Sequence, residues 1–132
     1  ENGRPIHLGC YAVDGHLKFS SHISRIVRRA FVRSNLLFNG FLSRDNETLV
    51  RAFRTYILPL LEYNSSIWSP HLIKDIRLIE SVQRRFTKRL SNLSGKSYCE
   101  RLNILHLERL DVRRLRADLI LTYKLLFWIN SY

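Results

Sequence analysis

Four cations crowd into six positions of SVQRRFTKRL, residues 81–90: Arg84, Arg85, Lys88 and Arg89, interrupted by Phe86 and Thr87. The chemistry open to such a cluster is electrostatic capture of an anion. A planar guanidinium meets two phosphate oxygens at once, which a Lys ammonium does not. Projected at about 100° per residue, Leu72, Ile76, Ile79, Val82, Phe86 and Leu90 gather in one sector of a helix. Lys74, Arg77, Arg84, Arg85, Lys88 and Arg89 fall in the opposite one. Acid barely enters that basic sector, with Glu80 at its edge and Asp75 nearer the apolar side. A solvated face usually mixes signs to gain i,i+4 pairs. Six cations with so little compensation repel one another unless an anion sits among them, so the stripe reads as a polyanion-binding face. Binding there would release condensed counterions and weaken steeply with salt.

Other constellations offer less. Arg113 and Arg114, with Arg116, are further phosphate candidates, but Asp111 and Asp118 are near enough to pair with them. Arg25, Arg28 and Arg29 form a similar group. Trp68, Tyr63 and Tyr56 are base-stacking candidates whose helical spacing favours a core instead. His7 and Cys10 make an H-x-x-C, but a strand points positions three apart to opposite faces, which argues against zinc. SGKS at 94–97 lacks the upstream glycine of a phosphate loop. No Ser/His/Asp set or GxGxxG occurs, so no catalytic residues are assigned. Cys10 and Cys99, far apart and without a repeated spacing, read as reduced, partly buried thiols of an intracellular protein, cytoplasmic or nuclear.

The elements that must position the stripe follow from pattern and punctuation. The 132 residues make one domain, 45% hydrophobic and 25% charged, an ordinary globular balance. The charge is not ordinary: 22 Lys+Arg, 17 of them Arg, against 11 Asp+Glu give a net charge of +11. That bias points to nucleic acid or an anionic surface. Residues 6–13, IHLGCYAV, predict one short strand, and Asp14–Gly15 a turn. Ser20 or Ser21 caps a helix to about Asn39, with Gly40 at its C-terminal cap. Asp45 caps a second, with core stripe Leu49, Ala52, Phe53, Tyr56, Leu60 and Tyr63 and a kink or break at Pro59. The third helix spans about 71–91. Ser97 and Glu100 form a capping box for a short helix ending near Asn103. The last helix runs from about Leu110 to Ile129, with Val112, Leu115 and Leu119 on one face. Its second half is apolar on nearly every side and should be buried against something. The run 119–129, broken by Lys124, is too short to span a bilayer. The expectation is a mainly α chain: a bundle of about four to five helices preceded by one short N-terminal strand. With no Met and a start at Glu1, it reads as a piece of something longer.

Five stretches resemble, in order, the region that follows the catalytic palm in reverse transcriptases of non-LTR retrotransposons of the jockey type (LINE elements). HLGCYAVDGHLKFSSHI is similar to the family's D-L-G-V-x-x-D-x-x-L-x-F-x-x-H-I. TYILPLLEYNSSIWSPH resembles Y-x-x-x-x-P-x-L-E-Y-x-x-x-x-W-x-P, and IESVQRRFTKRL resembles I-E-x-V-Q-R-R-x-T-K/R. SYCERLNIL is similar to S-Y-x-E-R-L-x-x-L, and RRLRADLILTYKLL to R-R-x-R-x-D-L-x-x-x-Y-K-I-L. Each is weak alone; their collinearity over nearly the whole chain is specific.

The resemblance implies that residues 1–19 are the end of the palm and 20–132 a helical thumb with its downstream helices. It implies a non-catalytic part of an RNA-directed DNA polymerase, gripping the primer–template duplex through its phosphates without sequence preference. Gln83, Arg84, Arg85, Lys88 and Arg89 match the family's motif and would face the duplex, joined by Arg77, Arg113 and Arg114. His7 replaces the usual Asp, Cys10 a Val, and Arg109 a helix-capping Ser or Thr. The family's F/Y-A-D-D turn, which holds Mg²⁺ for the parent polymerase, belongs upstream of Glu1, so this chain brings no cofactor of its own and cannot polymerise alone. The alternative is a self-standing or domesticated helical nucleic-acid-binding module.

Overall fold

Apolar residues return every three or four positions from Ser20 onward, and the chain answers with helices. The computed structural model describes residues 6–8, 11–13 and 19–130. Strands β1 (Ile6–Leu8) and β2 (Tyr11–Val13) pair antiparallel, Ile6 opposite Val13. Two short strands thus stand where the sequence predicted one; the Asp14–Gly15 turn and Cys10 lie outside the described residues. Seven helices follow among the described residues, so the chain is mainly α.

Helix α1 (Ser20–Gly40) runs through the glycine and buries Ile23, Ile26, Val27, Ala30 and Phe38. Ser20 does not cap it; its hydroxyl donates to the buried Asp75 at 2.7 Å. Asp45 does cap α2 (Asn46–Tyr56), accepting from the Thr48 backbone at 3.0 Å and its hydroxyl at 3.1 Å. Pro59 then divides the chain. Helix α2 stops at Tyr56, and α3 (Leu58–Glu62) carries Pro59 in its first turn, where the missing N–H leaves no bond unmade. The break resets the helical phase. Tyr63, beyond it, is therefore 65% exposed rather than core, and Tyr56, the last residue before it, is 55% exposed. Only Trp68, closing α4 (Ser65–Trp68), packs as the spacing implied.

Helix α5 (Ile73–Lys88) is central, packed on α1, α6 (Tyr98–Leu105) and α7 (Leu110–Ile129). Its Ile79, Val82 and Phe86 are fully buried with Phe53, Ile57, Leu61, Trp68 and Leu110 in one cluster. Phe86 stacks on Phe53 at 4.3 Å and meets Phe38 at 5.2 Å. Ring pairs of this kind contribute about 0.5–1.5 kcal/mol each beyond burial. Ser97 and Glu100 form the reciprocal box that opens α6, at 2.7 and 3.3 Å. Cys99, beside it, is exposed rather than partly buried.

Helix α7 departs most from expectation. Leu110 and Arg114 are buried, while Val112, Leu115 and Leu119 are exposed. The helix packs on α4 and α5 only through its first turns, and beyond Asp118 every described residue is exposed. No described element covers its apolar end. No helix among the described residues is long and apolar enough to cross a membrane.

Candidate nucleic-acid interface

The two faces of α5 do different work. Inward, between the apolar side chains, lie Asp75, Glu80, Gln83 and Thr87, all buried. Outward lie Lys74, Arg77, Arg84, Arg85, Lys88 and Arg89, all exposed. Because both carboxylates of the helix turn inward, its outer face carries no acid. None of its cations is in an ion pair among the described residues; the pairs found there are Arg51–Glu47, Arg109–Asp111, Arg113–Glu62 and Arg116–Glu108.

Aromatic rings position the guanidiniums instead. Arg84 stacks over Tyr98 with its central carbon 4.2 Å from the ring centroid, and Arg89 over Phe38 at 4.0 Å. Arg85 lies 5.4 Å from the centroid of Phe31. Arg89 also donates to Asn35 Oδ1 at 2.6 Å. A cation over a ring face is worth about 0.5–1 kcal/mol at an exposed site. It leaves the N–H edge of the fork free to meet an anion. Arg77, Arg84 and Arg109 further surround a depression of about 410 Å³ bordered by Ile76 and Glu80.

Three residues expected on this face are elsewhere. Gln83 is 0% exposed: its amide donates to the Glu108 carbonyl at 2.8 Å and to the Tyr98 hydroxyl at 3.1 Å. Four residues after Ile79 and three before Phe86, it occupies the middle of the buried arc. Arg114 is 4% exposed, with Nη1 and Nη2 unpartnered, and burial holds its pKa below the ordinary value against the pull of Glu80 and Asp111. Arg113 is engaged in two bonds to Glu62, at 2.5 and 3.1 Å, and that pairing raises its pKa. The expected partners Asp111 and Asp118 are occupied by Arg109 and Ser66 instead. The structure thus keeps Arg77, Arg84, Arg85, Lys88 and Arg89 together and separates off Gln83, Arg113 and Arg114.

Sequence reasoning missed what holds the face in place. Glu80 accepts from the Tyr98 hydroxyl with one carboxylate oxygen and from the Leu110 N–H with the other, at 3.0 Å. The α7 cap that Arg109 does not make with its side chain is therefore supplied from α5, thirty residues away. Tyr98 is held protonated, its pKa raised first by burial and then by Glu80. Thr87 accepts from Arg101 Nε at 3.2 Å, and Arg101 also donates to the Lys96 carbonyl at 2.7 Å. Glu80, Gln83 and Thr87 of one quoted motif thus meet Tyr98 and Arg101 of the next. Their spacings of three and four were the available signal.

Among the described residues no three His, Cys, Asp or Glu side chains gather where they could hold a metal ion. No family model matches the chain, and no solved structure does. It is similar to an uncharacterized protein of Caenorhabditis elegans, 28% identical over 93 residues that make up 68% of this chain and 47% of that protein. The matched stretch is thus about half of that relative's length.

Proposed function

We propose that this chain is a non-catalytic, thumb-like part of an RNA-directed DNA polymerase of the non-LTR retrotransposon kind, holding a primer–template duplex by its phosphates. The observation that carries the nucleic-acid part is the acid-free outer face of α5. There Arg84, Arg85 and Arg89 lie over aromatic rings beside Lys88 and Arg77, with no carboxylate to neutralise them. Such a row has a use for a polyanion and an electrostatic cost without one. The polymerase part rests on the order of the family-like stretches. The same face suits the alternative of a self-standing binding module, which the contiguous core of α1 to α5 with Leu110 of α7 favours.

The test is a titration of the full chain with a fluorescent RNA–DNA hairpin across a salt series. The triple charge reversal Arg84→Glu, Arg85→Glu, Lys88→Glu removes three phosphate contacts. The slope of log affinity against log salt should fall by about 2.7, alike for unrelated sequences. An unchanged slope makes the row a solvated face. A loss confined to one sequence would replace phosphate grip with base readout.

A further inference from the structure

Helix α1 carries a second basic row, on a flank that α5 does not use. Arg25, Arg29 and Arg33 are spaced four residues apart, so they rise about 6 Å per step along the helix, and α1 contains no Asp or Glu at all. Phe31 and Asn35, which meet the α5 cations, each lie two residues from a member of the row, about 200° around the helix. A duplex seated on α5 would leave this flank open.

Beside the row are the two tyrosines that left the core. Tyr63, with Pro59 and Leu60, closes a depression of about 310 Å³ against Arg25 and Arg29. Tyr56, with Leu36 and Leu37, closes a second of about 290 Å³ against Arg33. Each depression has an apolar floor, one exposed aromatic ring and a guanidinium at its edge. The rings stand on fixed backbone: the Tyr63 carbonyl accepts from the buried Trp68 indole at 2.8 Å, and the Tyr56 carbonyl accepts from Arg33 at 3.1 Å. The nearest acid in sequence, Glu62, is tied to Arg113.

Two exposed aromatic rings beside the guanidiniums of Arg29 and Arg33, on a helix whose own sequence holds no Asp or Glu, match one ligand chemistry. Phosphates track the cations while successive unpaired bases stack on the aromatics, tolerant of sequence because every base has a π face. A duplex does not fit, since its bases are already stacked on one another. We infer that the groove between α1 and the α2–α3 junction binds single-stranded nucleic acid, one base on Tyr63 and the next on Tyr56, with Arg29 and Arg33 at the phosphates. This surface extends the reading of α5 but stands on its own residues.

The test is anisotropy of the full chain with two probes, fluorescein-labelled dT12 and a blunt hairpin duplex. Tyr56→Ala and Tyr63→Ala should each weaken dT12 binding about tenfold, while duplex binding stays within about twofold. Tyr56→Phe and Tyr63→Phe keep the rings and should keep the affinity. Arg29→Glu with Arg33→Glu should lower the dT12 salt slope by about 1.4. Both tyrosines are exposed, and a circular dichroism melt checks the fold of each variant. Failure of the wild type to bind dT12, equal binding by the alanine variants, or equal losses on both probes would overturn the proposal. Loss of dT12 binding by the alanine variants where wild type shows no duplex binding would uphold the groove and refute the α5 interface.

Discussion

Replacing Glu80 with Ala probes the joint on which the outer face of α5 depends. Glu80 is 4% exposed, and its two oxygens serve the Tyr98 hydroxyl and the Leu110 N–H. The substitution leaves the buried Leu110 N–H and the half-buried Tyr98 hydroxyl without that acceptor, at about 1–3 kcal/mol each. It also removes the carboxylate whose charge favours the buried Arg114 guanidinium. A loss of about 4 kcal/mol is expected, a large part of the 5–15 kcal/mol that holds a domain of this size. At about 4 °C per kcal/mol, Tm should fall by roughly 15 °C. Glu80→Gln keeps an oxygen for the Leu110 N–H and should cost about half as much. The assay is urea unfolding of the full chain at pH 7 followed by far-ultraviolet circular dichroism, with a thermal melt beside it. A loss below about 1 kcal/mol for Glu80→Ala would refute the joint. Equal losses for Ala and Gln would refute the acceptor geometry and leave charge on Arg114 as the cause.

Two pH dependences follow from the same packing. Tyr98 has a pKa raised above its ordinary value near 10, by burial first and Glu80 second, so the stability it contributes is complete below pH 10 and is lost as pH rises toward the folded value. Urea midpoints from pH 8 to 11 should fall for the wild type and stay level for Tyr98→Phe. His22 has a pKa lowered from 6.5 by burial and by Arg25, and its ring meets Trp68 at 5.6 Å. The neutral ring is the folded form, so stability is present above pH 6.5 and declines as pH falls through the lower folded value. His22→Gln should flatten that acid limb in the same assay.

What could be read from sequence was what is local. The Asp45 cap, the Ser97–Glu100 box and the two sectors of α5 each depend on residues within one or two turns, and all three are present. The failures have separate physical causes. Gln83 was placed on the basic face because it sits beside Arg84 in a motif, although adjacency on a helix is a turn of about 100°. Arg113 was matched to acids near in sequence, whereas its partner Glu62 is 51 positions away and close only once α3 meets α7. Tyr63 was assigned to the core by continuing a period across Pro59, which ends the helix that period described. The α7 cap could not be read at its own site, because Glu80 reaches it from another helix.

The interleaving of roles within residues 79–89 has a consequence for how an interface here would work. Each position turns the helix by about 100°, so one turn of α5 both docks the helix and presents the cations. The inward Glu80, Gln83 and Thr87 fix α6, and with it Tyr98, the ring on which Arg84 lies. Phe86 fixes α5 against Phe38, the ring under Arg89. The polar network therefore reduces the freedom of the guanidiniums before any anion arrives, and a side chain already ordered loses less entropy on binding. Weakening the inward set should loosen the cations without changing the charge of the face, so affinity would fall while the salt slope held. Charge reversal on the outward set should lower the slope with little effect on unfolding. These two signatures separate the positioning of the face from its electrostatics.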